Sequence, residues 1–140
     1  MTTTEADIAE AFLRRWNAER LDGQIRGGLW YGRVPPDAGP PYASISVRKS
    51  GTEYFSRGSL VTFEVEMSLW SDQSIGGEPR ILTAAILTAF DTRQRPMIVS
   101  PGRVIRVRAG EGDLHLEESL RNAADVCQGR MTWRILIQET

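Results

Sequence analysis

The sequence predicts an α+β domain in which two helices pack on a mainly antiparallel sheet. Two observations carry the prediction: apolar residues recur at helical spacing in two stretches, and they alternate with polar residues in the stretches around them. The expected order is α-β-β-β-α-β-β, with one optional further strand at the end. A chain of 140 residues fits a single domain over residues 1–140 and can bury a core without disulfides or metal.

The first helix is predicted over residues 4–21. Ile8, Phe12 and Trp16 recur every four residues, behind a start rich in threonine and acidic residues that has capping-box spacing. Gly23 is expected to end the helix, because glycine adopts the left-handed C-cap conformation without steric cost.

Three strands are predicted next, over residues 29–34, 43–48 and 61–70. The last two show strict alternation of apolar and polar residues, the period of a half-buried strand. Residues 34–42 hold four prolines and are expected to form an extended connection, since proline lacks an N–H and fixes φ. Residues 48–59 are expected to form a long loop, a type of segment that often contacts a ligand or another subunit.

The second helix is predicted to begin near Pro79, which suits a first helical position, and to end before Pro96. Alternation then resumes in three stretches, 105–108, 114–116 and 131–137, which predict two or three final strands. Two helices cannot cover both faces of a broad sheet, so one face is expected to remain open to solvent or a partner. The apolar face of the second helix is expected to hold Ile81, Leu82, Ala85, Ile86, Ala89 and Phe90.

Composition excludes several functional classes. Charged residues make up 25% of the chain and the net charge is −1, so no overall attraction to nucleic acid or membrane is expected. No run of about 18 apolar residues occurs, which argues against a membrane span. A single cysteine and the lack of a signal-peptide pattern favour a reducing, cytoplasmic setting.

Candidates for catalysis or metal binding are few. Cys127 could form a nucleophilic pair with His115, with Asp125 as a candidate third member, but a cysteine among small apolar residues is more typical of a core. One histidine and one cysteine do not supply a zinc site without carboxylates, and the glycines match no phosphate-binding loop. The sequence therefore predicts no enzymatic activity, no catalytic residue, no cofactor and no metal.

Two charged clusters lie on predicted strands. Glu64 and Glu66 share a strand face and could act as acid and base, although cross-strand ion pairs with Arg48 are far more common for such residues. The second cluster is a basic strand edge formed by Arg103, Arg106 and Arg108. Three charges do not bind DNA strongly, but repeated around a ring they would form a positive band; alone, they would guard the edge against aggregation. Both interpretations of the basic edge remain open.

The chain also carries a combination of family features. An N-terminal helix leads into a short strand, residues 29–34, and a proline-bearing connection ends in Pro41-Tyr42-Ala43-Ser44-Ile45. A longer alternating strand, residues 61–70, is followed by a second helix, and a last strand covers 131–138. This layout resembles that of phage tail terminator proteins, a tail-completion family of long-tailed phages, prophages and gene transfer agents.

The resemblance implies a structural subunit that forms a ring, commonly a hexamer, on the end of the tail tube. Such a ring stops tube polymerisation and provides the surface that joins tail to head. The implied partners are further copies of the chain, the tail tube protein and the head–tail connector protein, with DNA at most passing through the lumen and no membrane. The implied location is the host cytoplasm during assembly and then the virion tail.

Three alternatives remain open. The long 48–59 segment departs from the family layout and could indicate another head–tail joining protein. The chain could also be a ligand-binding α+β module in which Trp70 lines a pocket, or an enzyme using Cys127 or the strand carboxylates. The residues expected at subunit or tube contacts are of the types enriched at interfaces. They are Tyr42, Tyr54, Phe55, Arg57, Trp70, Arg103, Arg106 and Arg108.

Overall fold

The computed structural model describes residues 2–72, 78–91, 97–99, 103–109, 117–118 and 126–139. The predicted α+β class is confirmed. The elements are α1 (Glu5–Ala18), a short 3-10 helix (Leu21–Gly23), β1 (Leu29–Tyr31), β2 (Tyr42–Phe55), β3 (Gly58–Asp72), α2 (Glu78–Ala89), β4 (Arg103–Ala109), β5 (Glu117–Glu118) and β6 (Val126–Glu139). The predicted strand at 114–116 lies outside the described residues.

Helix α1 begins after a capping box built by Thr4 and Asp7. The Thr4 hydroxyl accepts a hydrogen bond from the Asp7 N–H at 3.3 Å, and the Asp7 carboxylate accepts one from the Thr4 N–H at 2.7 Å. Two of the N–H groups that every helix start leaves without a partner are therefore satisfied by side chains.

The predicted end of α1 is wrong. The helix stops at Ala18, and Arg20 rather than Gly23 adopts the left-handed conformation, with φ 55°. The early stop allows a tight turn in which the Trp16 indole N–H donates to the Asp22 carboxylate at 2.6 Å. This side-chain hydrogen bond between residues six positions apart stabilises the turn that replaces the expected glycine cap.

The sheet has the order β1-β2-β3-β6-β4, with β5 beside β6. Neighbouring strands are antiparallel except β1 and β2, which are parallel. The proline-rich connection brings the chain back alongside β1, where the Gly27 N–H donates to the Pro41 carbonyl at 2.8 Å. A Cβ on Gly27 would lie 2.6 Å from each of three atoms of residues 39, 41 and 42, so only glycine fits.

The predicted long loop at 48–59 is wrong. Strands β2 and β3 continue through it as one hairpin, paired from Tyr42 opposite Trp70 to Phe55 opposite Gly58. A β-bulge at Ser50 adds one residue to β2 and shifts its alternation by one position. Because of this shift, the period-two pattern stops in the sequence near residue 48 although the strand does not.

The core lies on one face of the sheet, and both helices pack there. The Phe12 ring of α1 stacks on Phe90 at 4.9 Å between centroids and meets Trp133 of β6 edge-on at 5.5 Å. These contacts join the two helical segments to the middle of the sheet. The strand residues buried on this face are Ala43, Ile45, Val61, Phe63, Val65, Met67, Leu69, Met131, Trp133, Ile135 and Ile137.

Helix α2 departs from its predicted apolar face at one residue. Ile81 is 66% exposed, whereas Thr83 is buried. At roughly 100° per residue, Thr83 lies about 60° around the helix from the buried Ile86, and Ile81 lies about 140° from it. The buried stripe through Leu82, Ile86 and Ala89 therefore includes the threonine and leaves the isoleucine outside.

Candidate functional site

The sheet face opposite the helices is the first candidate site, and we call it the open face. Among the described residues, no helix packs on it. It comprises the polar-phase positions of three long strands: Tyr42, Ser44, Ser46 and Arg48 of β2; Thr62, Glu64, Glu66, Ser68 and Trp70 of β3; and Gln128, Arg130, Thr132, Arg134, Leu136 and Gln138 of β6.

A charged row crosses the centre of the open face. Arg48 lies opposite Glu64, and Glu64 lies opposite Arg134. One Glu64 oxygen accepts a hydrogen bond from Arg48, and the other accepts one from Arg134 at 3.3 Å. The hydrogen bond from Arg48 is the largest cause that lowers the pKa of Glu64 below its ordinary 4.5. Desolvation opposes it, and the hydrogen bond from Arg134 and the two positive charges add smaller lowering effects. Two guanidinium groups thus share one carboxylate.

The geometry favours ion pairing of the two glutamates over a role as acid and base. Glu64 is paired as described, and Glu66 lies 3.9 Å from the guanidinium of Arg130. A general acid or base needs a pKa near the working pH, whereas the Glu64 pKa is displaced downward. The predicted Arg48–Glu64 pair across the two strands is confirmed.

The basic strand edge is confirmed at the level of the backbone. Strand β4 is last in the sheet order, and Arg103, Arg106 and Arg108 lie opposite residues 138, 136 and 134 of β6. Those three partners belong to the open face. A bulge at Ile105 makes this possible, because without the extra residue the alternation would place Arg106 opposite the buried Ile135. In the same register Val104 pairs with Ile137, and Ile105 has no Cα partner at the bulge.

An aromatic pair occupies one end of the open face. Tyr42 begins β2 and stacks on Trp70 of β3, with ring centroids 6.2 Å apart and planes 24° apart. Both side chains are half-buried. The stacked pair is therefore part of the surface of the open face. The proline-rich connection enters the sheet next to it.

The second candidate site is the hairpin tip, residues 51–58. Tyr54 is 85% exposed and Phe55 is 43% exposed, and Arg57 is exposed in the turn. The register places Tyr54 on the helix side of the sheet and Phe55 on the open side. Strand β1 covers only residues 43–45 of β2, so the edge of β2 from 46 to 55 has no strand partner among the described residues.

The eight predicted contact residues fall into three groups. Tyr54, Phe55 and Arg57 gather at the hairpin tip, while Tyr42 and Trp70 lie at the other end of the same hairpin, about 40 Å away at 3.3 Å per residue. The three β4 arginines form the third group at the far edge. Sequence reasoning missed Arg134 and Arg130, although both occupy the polar phase of the last strand and alternation could have found them.

The cysteine hypothesis is not tested by the structure. The backbone of Cys127 lies in β6 opposite Ser71, and His115 and Asp125 lie outside the described residues. No group of three or more metal-binding side chains occurs in the described part of the chain. Neither helix described here combines the length and apolarity that a membrane crossing requires.

Comparisons with known proteins identify a fold relative. No protein-family model matches the chain, and no curated protein matches it in sequence. Among solved structures, it is similar to a chain from the virion of a native gene transfer agent particle, with a TM-score of 0.67 and 18% identity. The likeness covers 98% of this chain and 96% of that chain. At this identity the likeness shows that the two chains share a fold over their full lengths.

Proposed function

We propose that the chain is a structural virion assembly protein of tail-terminator type. Copies of it form a ring, a hexamer, on the end of a tail tube, where the ring ends tube polymerisation and provides the surface that joins tail to head. The observation that carries the proposal is the full-length likeness to a chain of a gene transfer agent virion. The element order and the Pro41-Tyr42 strand start, on which the resemblance to tail terminators depends, support it independently.

The hairpin tip supplies the physical basis for assembly. The last described pair of β3 and β6 is Ser59 with Glu139, so residues 55–58 of the tip lie past it and residues 51–54 lie beside paired strands. The aromatic side chains of Tyr54 and Phe55 lie on opposite faces of the tip, and their apolar surface stays in contact with water unless a partner covers it. The free edge of β2 can pair with an extended segment of a neighbour by strand addition. A head-to-tail contact of this kind produces a closed ring when the rotation between neighbouring copies adds up to a full turn.

The proposed partners follow from the same role. They are further copies of the chain, the tail tube protein and the head–tail connector protein, with DNA passing through the lumen of the ring. Assembly would take place in the host cytoplasm and the mature position would be the virion tail. In this proposal the chain is not an enzyme and works without cofactor.

The oligomeric state of the purified chain tests the ring. Light scattering after size exclusion, and native mass spectrometry, are measured at concentrations from micromolar to millimolar, with and without tail tube assemblies. We expect one closed species of six times the 15.7 kDa of a single chain, alone or on the tube. A chain that stays monomeric at the highest concentration and does not bind tube ends would contradict the proposal.

The double variant Tyr54→Ser/Phe55→Ser tests the hairpin tip as the contact. Both side chains are exposed, so the folded monomer should persist while the ring dissociates. Tyr31→Ser is the matched control, because Tyr31 is also 43% exposed but lies on β1, away from the tip. Circular dichroism checks that all variants fold. Equal oligomerisation of the tip variant and the control would show that the tip is not part of the interface.

A further inference from the structure

We propose that, away from a tail tube, two copies of the chain join their β2 edges as an antiparallel pair about a twofold axis. Residues 46–55 of one copy pair with the same residues of the other, and the axis passes between positions 50 and 51. In the single chain this edge has no strand partner among the described residues. The inference goes beyond the proposed function, because it concerns chains that are not on a tube and does not require a ring.

The first argument is the direction of the backbone groups along the edge of β2. The Ala43 N–H donates to the Gly28 carbonyl, just before β1, at 2.9 Å. The Lys49 N–H donates to the exposed Glu5 carboxylate at 3.4 Å. Both N–H groups therefore point away from β3. Because strand residues direct their backbone groups to the two sides in turn, Val47 also points outward.

The bulge in β2 changes which residues point outward in the second half of the edge. Lys49 lies opposite Phe63 before the bulge, and Thr52 lies opposite Val61 after it. Phe63 and Val61 are alternate residues of β3, so their backbone groups point the same way. Thr52 therefore points outward like Lys49, and so does Tyr54, the next alternate residue after Thr52.

These outward residues match those of a second copy about a single axis. With positions 50 and 51 facing each other across the axis, Val47 lies opposite Tyr54 of the second copy, and Lys49 lies opposite Thr52. All four direct backbone groups towards the interface, and each hydrogen-bonded pair of an antiparallel ladder exchanges two bonds. The symmetry repeats both pairs, as in every isologous interface.

The same axis also matches side chains on both faces of the sheet. On the open face, Arg48 lies opposite the exposed Glu53 of the second copy, and opposite charges at such positions stabilise a sheet. The Arg48 side chain is 75% exposed, and it keeps further N–H donors beside the one that Glu64 accepts. On the helix side, the partly buried Val47 lies beside Tyr54, which is 85% exposed in the single chain.

The bulge is what makes the edge self-complementary. Arg48 and Glu53 are separated by an odd number of residues along β2, so a regular strand would put their side chains on opposite faces. The extra residue between them returns both to the open face. Bulges can protect an edge strand from pairing, but this one brings the outward groups and the opposite charges of two copies into one register.

A second copy fits this edge better than an unrelated strand. An unrelated strand would gain the backbone bonds, whereas the second copy also supplies a glutamate for Arg48 and an aromatic ring for Val47 at both ends of the contact. The dimer uses Tyr54 and the free edge of β2, which the proposed ring contact uses as well. Dimer and ring therefore exclude each other, and the dimer holds subunits that cannot assemble until tube ends bind them.

The experiment measures the mass of the full chain by native mass spectrometry and sedimentation, from micromolar to millimolar concentration, without tail tubes. We expect a species of twice 15.7 kDa. Glu53→Arg replaces both Arg48–Glu53 pairs by pairs of like charge, so it should weaken dimerisation by at least about tenfold. Glu10→Arg is the matched control. It makes the same substitution at an exposed residue of α1 and should change dimerisation by less than about twofold, because salt screens distant charges.

A mixture of two variants tests the register. Arg48→Glu should also weaken dimerisation, since it places glutamate opposite Glu53. Mixed in equal amounts with Glu53→Arg chains, it should restore a dimer that contains one chain of each kind, because both cross-copy pairs then have opposite charges. Circular dichroism checks folding, since Arg48 also bonds to Glu64. If Arg48→Glu does not fold, the comparison of Glu53→Arg with Glu10→Arg decides alone.

A third variant should move dimerisation in the opposite direction. Glu5→Ala removes the carboxylate that accepts the Lys49 N–H in the single chain, and this carboxylate must give way when a second strand arrives. Dimerisation should therefore tighten by about threefold, near the lower end of the range for one hydrogen bond.

The proposal is overturned if no dimer forms up to millimolar concentration, or if Glu53→Arg and Glu10→Arg dimerise equally. It is also overturned if folded variants fail to restore the dimer on mixing, or if Glu5→Ala leaves dimerisation unchanged. These outcomes are distinguishable from those that test the ring. A dimer with no ring on tube ends would contradict the ring alone, and a ring with no dimer would contradict this pairing alone.

Discussion

At the scale of single residues, contacts with other parts of the chain restrict which residue can stand at two positions. Gly27 lies where the chain before β1 touches the end of the proline-rich connection, and its N–H bonds to the Pro41 carbonyl. Glu64 lies where two arginines converge on one carboxylate. In both cases the requirement comes from residues distant in sequence, so each position can be tested by a conservative substitution.

Gly27→Ala should lower the free energy of unfolding by about 3 kcal/mol, because its Cβ would lie 2.6 Å from backbone atoms that cannot rotate away. Gly23→Ala is the control: nothing lies within 4 Å of a Cβ there, so its effect should stay within about 0.5 kcal/mol. Urea denaturation of both variants measures the difference. Equal stability of the two would show that the connection does not pack against Gly27 in solution.

The lowered pKa of Glu64 predicts an acid dependence of stability. A carboxyl with a folded pKa below its unfolded value contributes stability above the unfolded pKa, and loses it as the pH falls through the folded pKa. The contribution should therefore be complete above about pH 4.5 and decline below it. Since the pair is exposed, the effect should be a few tenths of a kcal/mol. Unfolding from pH 7 to 3 should show a smaller acid loss for Glu64→Gln than for the wild type.

At the scale of elements, the described contacts explain how two short helices hold one position on the sheet. Helix α1 packs on β2, and α2 packs on β3 and β6. The two are tied together by Arg15, whose Nε donates to the carbonyl of Ala89 at 2.7 Å and whose Nη2 donates to that of Asp91 at 3.3 Å. A guanidinium at a helix C-terminus satisfies orphan carbonyls and complements the helix dipole.

Arg15→Gln should therefore lower the free energy of unfolding by about 2 kcal/mol, the scale of charge-assisted hydrogen bonds in a partly buried site. The neighbouring Arg14 is exposed, so Arg14→Gln should change stability by less than about 0.5 kcal/mol. Thermal and urea unfolding of the pair give the comparison. A loss of equal size in both variants would assign the effect to net charge and not to the helix cap.

At the scale of the whole molecule, the two faces of the sheet differ in packing and in composition. One face carries the helices and the apolar core, and the other carries the charged row and the aromatic pair. The hairpin tip projects from one end. The tip and the centre of the open face involve different side chains, so a partner on one leaves the other accessible.

If the chain assembles through the tip, its thermal stability should depend on concentration. Association of folded copies stabilises the native state by mass action, so the Tm should rise as the protein concentration increases. The Tyr54→Ser/Phe55→Ser variant should show a Tm that does not vary with concentration. Scanning calorimetry over a hundredfold range of concentration makes the test. A concentration-independent wild-type Tm would place the interface in a larger assembly with the tube.

The sequence by itself determined the fold class, the order of elements and most of the core. Alternation in β3 and β6 and the four-residue spacing in α1 are local periodicities, and each assigns its apolar residues to one face of the element. The Arg48–Glu64 pair was predictable for the same reason, since strand alternation puts both residues on the polar face.

Only the tertiary structure decided where that periodicity is interrupted. The bulges at Ser50 and Ile105 each insert a residue and shift the alternation, so residues 48–59 have the pattern of a loop and the register of β4 does not follow from its sequence. The parallel pairing of β1 and β2 and the convergence of Arg48 and Arg134 on Glu64 depend on partners outside any local sequence window. Local patterns report which face a residue prefers, whereas register and long-range contacts decide which residues meet.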